Sequence, residues 1–199
     1  MQEGEIRMRK IMIIGAGGIG SFLAANLDRI GIYKVTVFDE DTVEDKNLTY
    51  QNYSASSIGE QKVHALQMDL SDRVRGEPYW VLTSEQLQGY DLVVCCADNL
   101  AVRRLLYREG YGPDAPTKWL DLRAQGRNAA LISYMIEPDL AVDLLTGPEG
   151  SFSCQGEDWD GSAEGIDTMH MAIAGVGAQW IQKWFINHDD VAHNVMLNI

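Results

Sequence analysis

The feature that most constrains this chain is a short glycine-rich segment, IMIIGAGGIGS, at residues 11–21. Four apolar residues lead into it, as expected of a buried parallel strand. Gly15, Gly17 and Gly20 then form a G-x-G-x-x-G, and the residues that follow have helical spacing. A strand, a tight glycine turn and a helix N-terminus together form a cradle for a phosphate group. The motif therefore predicts a nucleotide site, but it does not separate NAD, FAD and ATP.

Composition limits the class of protein. With 199 residues, 46% of them hydrophobic, the chain can build one substantial core, so we predict a single domain over residues 1–199. The formal net charge of −13 argues against nucleic acids and anionic membranes as main partners. The chain shows neither a signal-like start nor an apolar run of about 20 residues, so we expect a soluble cytoplasmic protein. The three cysteines, Cys95, Cys96 and Cys154, form no C-x-x-C, and no zinc is expected.

The pattern of apolar residues predicts strands that alternate with helices through the first two-thirds of the chain. The predicted strands are 10–15, 33–41, 79–83, 91–98, 117–126 and 128–136. The predicted helices are 17–31, 60–74, 84–90, 99–112 and 167–187, and residues 138–166 are predicted to be mostly loop. This order is typical of an α/β, Rossmann-like three-layer domain with a mostly parallel sheet, mixed at the C-terminal edge.

An acidic residue follows the second predicted strand. Asp39 comes 19 residues after Gly20, close to the spacing at which a carboxylate meets the hydroxyls of a nucleotide ribose. An NAD-binding domain would show the same feature, and a solvated acid at a strand end is the alternative. Ribose binding is favoured because the strand and the glycine loop both fit.

The segment FDEDTVEDKNLTYQN, residues 38–52, distinguishes among the candidate nucleotides NAD, FAD and ATP. It resembles the D-x-D-x-V-x-x-x-N-L-x-R-Q signature of the ThiF/MoeB/HesA family, ATP-dependent adenylating enzymes related to ubiquitin-activating enzymes. The opening G-A-G-G-I-G-S, with its extra Gly18, matches that family's glycine motif. Lys62 in IGEQKVHAL and Asp98–Asn99 in DLVVCCADN stand where the family has a lysine and a D-x-x-D-N. The late segment AIAGVGAQWIQKWF is similar to the family's C-terminal helix.

The resemblance implies a reaction and a set of roles. In adenylation a carboxylate attacks the α-phosphate of ATP and pyrophosphate leaves, so positive charge and Mg²⁺ must offset the repulsion between anions. The resemblance implies that Asp39 binds the ribose, that Asp98 binds Mg²⁺ and that Lys62 contacts the phosphates. The remaining predicted nucleotide-binding residues are Gly15, Gly17, Gly18, Gly20, Asp41, Asn47 and Gln51, and the predicted catalytic residues are Lys62, Asp98 and Arg103.

Each of these roles has a simpler alternative. Lys62 on a helix is ordinarily a solvated charge. Asp98 and Asn99 could merely cap the helix that follows, because both residue types are strong N-caps. Asn47 and Gln51 could be hydrogen-bonding loop residues only.

The chain departs from the family pattern at Tyr50, which stands where the signature has arginine. Tyrosine brings no positive charge, and a missing guanidinium at a developing phosphate charge can cost on the order of a thousandfold in rate. Arg103, Arg104, Arg123 and Arg127 are candidate replacements, and we favour Arg103 and Arg123.

Cys154 leaves two interpretations open. Some relatives transfer the activated acyl group to a cysteine before the last helix, whereas the position of Cys154 corresponds better to a zinc-binding segment whose other ligands are absent here. We expect the neighbouring acids to raise the pKa of its thiol.

Three functions follow from these observations. The first is an adenylyltransferase that acts on the C-terminal carboxylate of a ubiquitin-like or sulfur-carrier protein or a peptide, with a homodimer and a loop at Leu144 to Ile166 that could close over the carrier tail. The second is a catalytically weakened nucleotide-binding or scaffold subunit of an activating complex, which Tyr50 would suit. The third is an NAD-dependent oxidoreductase, in which the N-L-x-x-Q loop and Lys62 would have no role.

Overall fold

The computed structural model describes residues 7–145, 154–155, 159, 162–188 and 190–199. The strands among them are β1 (Arg9–Ile14), β2 (Tyr33–Phe38), β3 (Val74–Glu77), β4 (Leu92–Cys95), β5 (Trp119–Gln125), β6 (Asn128–Ser133) and β7 (Asn194–Asn198). The α-helices are α1 (Gly18–Ile30), α2 (Lys62–Asp69), α3 (Leu100–Tyr107), α4 (Pro138–Asp143) and α5 (Met169–Ile186). No helix in the described part of the chain is long and apolar enough to cross a membrane.

All seven strands form one sheet in the order β3-β2-β1-β4-β5-β6-β7. Strands β1 to β5 pair in parallel, whereas β6 and β7 are antiparallel. The predicted fold class is therefore confirmed, including the mixed C-terminal edge. The chain moves outward from β1 to β3 and then crosses to β4 on the other side of β1, so the topological switch point lies between β1 and β4.

The centre of the sheet is covered on both faces. Ile11 to Ile14 alternate between the faces, yet none of the four is more than 4% exposed. Such continuous burial is what a parallel sheet with helices on both sides requires. Helix α5 packs against α1 and against β5 and β6, and its Trp180 and Trp184 are stacked and buried. These tryptophans are therefore part of the core.

The third strand was predicted in the wrong place. Strand β3 is VRGE, at Val74–Glu77, and not the more apolar YWVLT at residues 79–83. A Cβ atom on Gly76 would lie 2.5 Å from the Val63 carbonyl oxygen, so a glycine is needed where α2 crosses the strand. Residues 79–83 instead leave the sheet and lead into a 3₁₀ turn at Ser84–Leu87. Thr83 is the N-cap of that turn.

Several boundaries also differ from the prediction. Helix α2 ends at Asp69, well before residue 74, because Leu70 is already extended and the chain must enter β3. The predicted loop at 138–166 contains α4, while residues 146–153, 156–158 and 160–161 lie outside the described residues. Strand β7 was not predicted. It is an edge strand in which Val195 and Leu197 are half-buried while Asn194, Met196 and Asn198 are exposed, so no buried apolar run marks it.

Candidate functional site

A cavity of about 540 Å³ opens where β1, β2 and β4 end. This is the switch point of the sheet, where ligands bind in open α/β folds. All the predicted site residues except Gly20 and Arg103 line it: Gly15, Gly17, Gly18, Asp39, Asp41, Asn47, Gln51, Lys62 and Asp98. Residues separated by more than 80 positions in the chain are thus brought to one place.

The glycine turn forms one wall of the cavity. Gly15 has a φ of +98°, a left-handed conformation, and a Cβ atom there would lie 2.8 Å from the backbone nitrogen of Ala97. Gly20 acts differently, because its Cβ would lie 1.8 Å from the Gly15 carbonyl oxygen. Gly20 therefore permits the close approach of α1 to the turn and does not line the cavity. Since α1 begins at Gly18, its first unpaired N–H groups are available to an anion.

Asp39 is fixed at the end of β2 by two backbone donors. Its Oδ2 accepts a hydrogen bond from the Ala16 N–H (2.6 Å), and its Oδ1 accepts one from the Asp41 N–H (2.8 Å). Burial raises the pKa of the Asp39 carboxyl, while the charge of Lys62 and the two N–H donors act in the opposite direction. Each carboxylate oxygen retains a lone pair for a further donor such as a ribose hydroxyl.

Lys62 is not a solvated surface charge. Its side chain is 8% exposed, and its Nζ lies 2.8 Å from Oδ2 of Asp41, whose own side chain is 62% exposed. The Lys62 N–H also donates to the Asp41 carbonyl, at 2.9 Å. A buried ammonium group is costly unless it is paired, and here the partner is a carboxylate that solvent can reach. The pair therefore holds a positive charge in the wall of the cavity beside Asp39.

Asn47 and Gln51 come from the 3₁₀ turn after β2. The Asn47 Oδ1 accepts a hydrogen bond from the Glu44 N–H (2.8 Å) in a capping box, which leaves the amide NH₂ as its free donor group. Gln51 is 7% exposed, and its Oε1 is buried without a hydrogen-bond partner among the described residues. A buried acceptor without a donor costs about 1–3 kcal/mol, and a hydrogen-bond donor on a ligand would satisfy it.

Asp98 and Asn99 have separate positions at the start of α3. Asn99 is the N-cap, since its Oδ1 accepts a hydrogen bond from the Val102 N–H at 3.0 Å. Asp98 is exposed in the cavity and takes no part in the cap. Within the described ranges no group of three or more His, Cys, Asp or Glu side chains could hold a metal ion. An ion at Asp98 would therefore need oxygen atoms from a ligand and water, as Mg²⁺ commonly does.

The structure does not bring Arg103 to the cavity. Its Nε lies 3.2 Å from Oδ1 of Asp121, which is fully buried. Arg123 binds the same carboxylate through Nε (2.9 Å) and Nη2 (2.7 Å), and Tyr107 donates its hydroxyl to it at 3.0 Å. Neither arginine is among the lining residues. This arrangement could not be predicted from the sequence. Asp121 lies within an apolar strand pattern, which does not indicate that its carboxylate binds Arg103 and Arg123.

Sequence reasoning also missed several lining residues. Lys46, Tyr79, Trp80 and Trp159 all border the cavity. Lys46 directly precedes Asn47, a predicted site residue, and this position could have identified Lys46 as a candidate. Residues 79–83 have a strand-like composition and were predicted as a strand, so Tyr79 and Trp80 were not recognised as site residues.

Tyr50 and Cys154 also line the cavity, at the side of the last helix. The ring of Tyr50 packs edge-on against Trp159, with 5.2 Å between ring centroids. A Cβ atom on Gly18 would lie 2.8 Å from the Cys154 sulfur, so the thiol is close to the start of α1. The pKa of the Cys154 thiol is raised, as expected, but burial is the main cause and the Asp98 carboxylate only adds to it.

The fold and the glycine turn at its switch point define a Rossmann-like α/β domain with a candidate nucleotide site. The family model described as "ThiF family" matches residues 2–199, so the chain belongs to the ThiF family.

Curated relatives match about half of the chain. It is 33% identical over 110 residues to the adenylyltransferase and sulfurtransferase UBA4 of Yarrowia lipolytica, which covers 51% of this chain and 28% of UBA4. It is 37% identical over 115 residues to the sulfur carrier protein adenylyltransferase of Thermus thermophilus, which covers 52% of this chain and 42% of that protein. The matched part is thus less than half of each relative's length.

Solved structures with the same fold cover nearly the whole chain. PaaA matches with a TM-score of 0.69 and 16% identity, over 96% of this chain and 61% of PaaA. E. coli MccB with ATP matches with a TM-score of 0.69 and 17% identity, over 96% of this chain and 60% of MccB. At this identity the likeness shows the fold alone.

Proposed function

We propose that this chain is an ATP-dependent adenylyltransferase that activates the C-terminal carboxylate of a ubiquitin-like or sulfur-carrier protein, or of a peptide. The observation that carries the proposal is that the glycine turn, buried Lys62 and Asp39 all line one cavity, with the Asp39 carboxylate hydrogen-bonded to the Ala16 N–H of the turn. The relatives named adenylyltransferases support it.

The nucleotide would lie with its phosphates at the start of α1. There the free N–H groups of the helix and the Lys62 ammonium would offset phosphate charge. The ribose hydroxyls would donate to Asp39, and the unpartnered Gln51 Oε1 would accept from the same sugar or from an ordered water. Asn47 would supply its amide NH₂ to a phosphate oxygen.

The charge of the cavity supports the proposal that a divalent cation accompanies the nucleotide. The lining contains five carboxylates, Asp39, Glu40, Asp41, Glu44 and Asp98, against two ammonium groups, Lys46 and Lys62. A bare triphosphate would be repelled by this excess of negative charge. Mg²⁺ would neutralise the phosphates and the pyrophosphate that leaves. Asp98 is the lining carboxylate that we propose holds it.

In the reaction, one oxygen of the substrate carboxylate forms a bond to the α-phosphorus while the bond to the bridging oxygen of the β-phosphate breaks. The products are an acyl-adenylate and pyrophosphate. The chain contributes positioning and fixed positive charge, which are the main means of catalysis in such transfers. Since Tyr50 is uncharged, we propose that Lys46 supplies the second positive charge from the cavity lining.

The substrate tail and the oligomer belong to the same proposal. A carrier tail would enter the open side of the cavity. The predicted closing loop, Leu144 to Ile166, lies mostly outside the described residues. The homodimer and the cytoplasmic location stay predictions.

The packing of Tyr50 against Trp159 favours one second candidate, a scaffold subunit that binds nucleotide without turning it over. In that protein the aromatic pair would fill the space that a cation needs. MgATP binding without pyrophosphate exchange would identify it.

The test is calorimetry on the purified chain with MgATP and with NAD, followed by pyrophosphate exchange with candidate carrier tails. Lys62→Ala and Asp98→Ala should each weaken MgATP binding at least tenfold. Lys34→Ala and Asp72→Ala, which change exposed residues outside the cavity, are the matched controls. Binding of NAD in place of MgATP would refute adenylation and favour the oxidoreductase.

A further inference from the structure

The segment that follows β3 lies next to the proposed ribose site. The Asp39 N–H donates to the Glu77 carbonyl at 3.3 Å, so the chain leaves β3 at the level of Asp39. Tyr79, Trp80 and Val81 then border the cavity. With phosphates at the start of α1 and the ribose at Asp39, a nucleotide base would project toward this segment.

Two large aromatic side chains of this segment are exposed. Tyr79 is 60% exposed and Trp80 is 46% exposed. Trp80 is the one exposed tryptophan of the five in the chain. Exposed aromatic rings that border a cavity next to a proposed ribose site need an explanation, because large apolar side chains are normally buried.

The backbone beneath these rings is held in place. Val81 is 2% exposed and anchors the segment in the core. The Gln86 side chain donates to the Trp80 carbonyl (3.0 Å) and accepts from the Leu82 N–H (2.8 Å). The Tyr79 N–H donates to the Glu77 carbonyl at 2.9 Å. A fixed backbone with a free ring loses little entropy when a planar ligand stacks on it.

We propose that Trp80 is the residue that recognises the nucleotide base, by stacking its indole on the purine ring, with Tyr79 beside it at the rim. This inference rests on the proposed function and adds to it the means by which the cavity selects a purine nucleotide. A base presents a flat π-face to an aromatic ring, and a purine presents a larger one than a pyrimidine.

The experiment compares dissociation constants for MgATP, MgCTP and magnesium tripolyphosphate in the wild-type chain and in Trp80→Ala and Trp80→Phe. Trp80→Ala should weaken MgATP binding about 5- to 150-fold, the effect of losing one base–aromatic stack. Tripolyphosphate has no base, so its affinity should stay within about twofold. Trp80→Phe should recover most of the MgATP affinity, and the preference for MgATP over MgCTP should shrink in Trp80→Ala.

Leu82→Ala is the matched control, because Leu82 is 72% exposed on the same segment but does not line the cavity. MgATP should also quench the wild-type tryptophan fluorescence, and this quench should be smaller in Trp80→Phe, in which Trp159 is the tryptophan that still lines the cavity.

Unchanged MgATP affinity in Trp80→Ala would overturn the inference while the proposed function stands. So would an equal loss of tripolyphosphate affinity, which would show that Trp80 shapes the cavity rather than binding the base. A normal MgATP affinity with lost carrier-dependent pyrophosphate exchange would assign Trp80 to partner docking and refute base stacking. Failure of the wild-type chain to bind MgATP would refute the proposed function, and base stacking with it.

Discussion

Replacing Arg103 with methionine should lower the stability of the fold and leave nucleotide binding nearly unchanged. Arg103 is 9% exposed, and its Nε lies 3.2 Å from the Asp121 carboxylate. Methionine retains the length of the apolar stem, so the change removes the guanidinium without opening a large cavity. The variant separates the structural role that the geometry shows from the catalytic role that the sequence predicted.

The magnitude follows from what remains around Asp121. Arg123 still contacts this carboxylate at 2.7 Å and Tyr107 still donates to it, so its charge stays compensated. The loss is then that of one charge-assisted hydrogen bond, about 1.5–3 kcal/mol of unfolding free energy. For a chain of this size each kcal/mol corresponds to about 2–4 °C, so Tm should fall by about 3–12 °C.

Asp121→Asn should destabilise the fold more than Arg103→Met. It leaves the guanidinium groups of both Arg103 and Arg123 without their carboxylate. Removal of one partner from a buried ion pair costs about 3–5 kcal/mol. Tm should therefore be highest in the wild type, lower in Arg103→Met and lowest in Asp121→Asn.

The assay is thermal unfolding followed by circular dichroism, with MgATP calorimetry at a temperature where every variant is folded. Arg108→Met, an exposed arginine at the end of the same helix, is the control and should leave Tm within about 1 °C. If Arg103→Met kept the wild-type Tm but lost pyrophosphate exchange by about a thousandfold, the guanidinium would have to act on the nucleotide. Our reasoning from the Asp121 contact would then be wrong.

Two further predictions concern residues packed around α1 and α5, outside the cavity lining. Gly20→Ala should destabilise the chain by about 3 kcal/mol or more in urea unfolding, because its Cβ would lie 1.8 Å from the Gly15 carbonyl oxygen. The control is Gly175→Ala inside α5, where a Cβ meets nothing within 4 Å, and it should raise the free energy of unfolding by up to about 1 kcal/mol. Equal effects of the two substitutions would contradict this account. Burial lowers the pKa of His170 below its ordinary value of 6.5, so the folded state binds its proton less well than the unfolded chain. The stability that neutral His170 contributes is complete above pH 6.5 and is lost as the pH falls toward the lowered pKa. His170→Gln should therefore reduce the loss of stability between pH 7 and pH 5, measured by urea midpoints at about those pH values, whereas an identical loss in both proteins would refute the assignment.

Much of this protein could be predicted from local sequence pattern. The apolar run before Gly15, the glycine turn and the helical spacing after it depend on residues close together in the chain. Their conformations are governed by local sterics, such as the φ of +98° that only glycine adopts readily. The same holds for Asp39, which follows directly from the end of β2. The mostly parallel sheet and its mixed C-terminal edge were predicted from the alternation of apolar strands and helices along the chain.

Tertiary structure decided what the local pattern left ambiguous. YWVLT has better strand composition than VRGE, yet β3 is VRGE, because Gly76 alone fits beneath the Val63 carbonyl. Lys62 could have been a solvated lysine, and only the fold shows it buried against Asp41. Arg103 was assigned to the nucleotide, but Asp121, 18 residues away, binds it in the core. These outcomes depend on contacts between residues that are far apart in the sequence. The strength of a charge pair or a packing contact depends on the partner, the distance and the burial, and the tertiary structure sets all three.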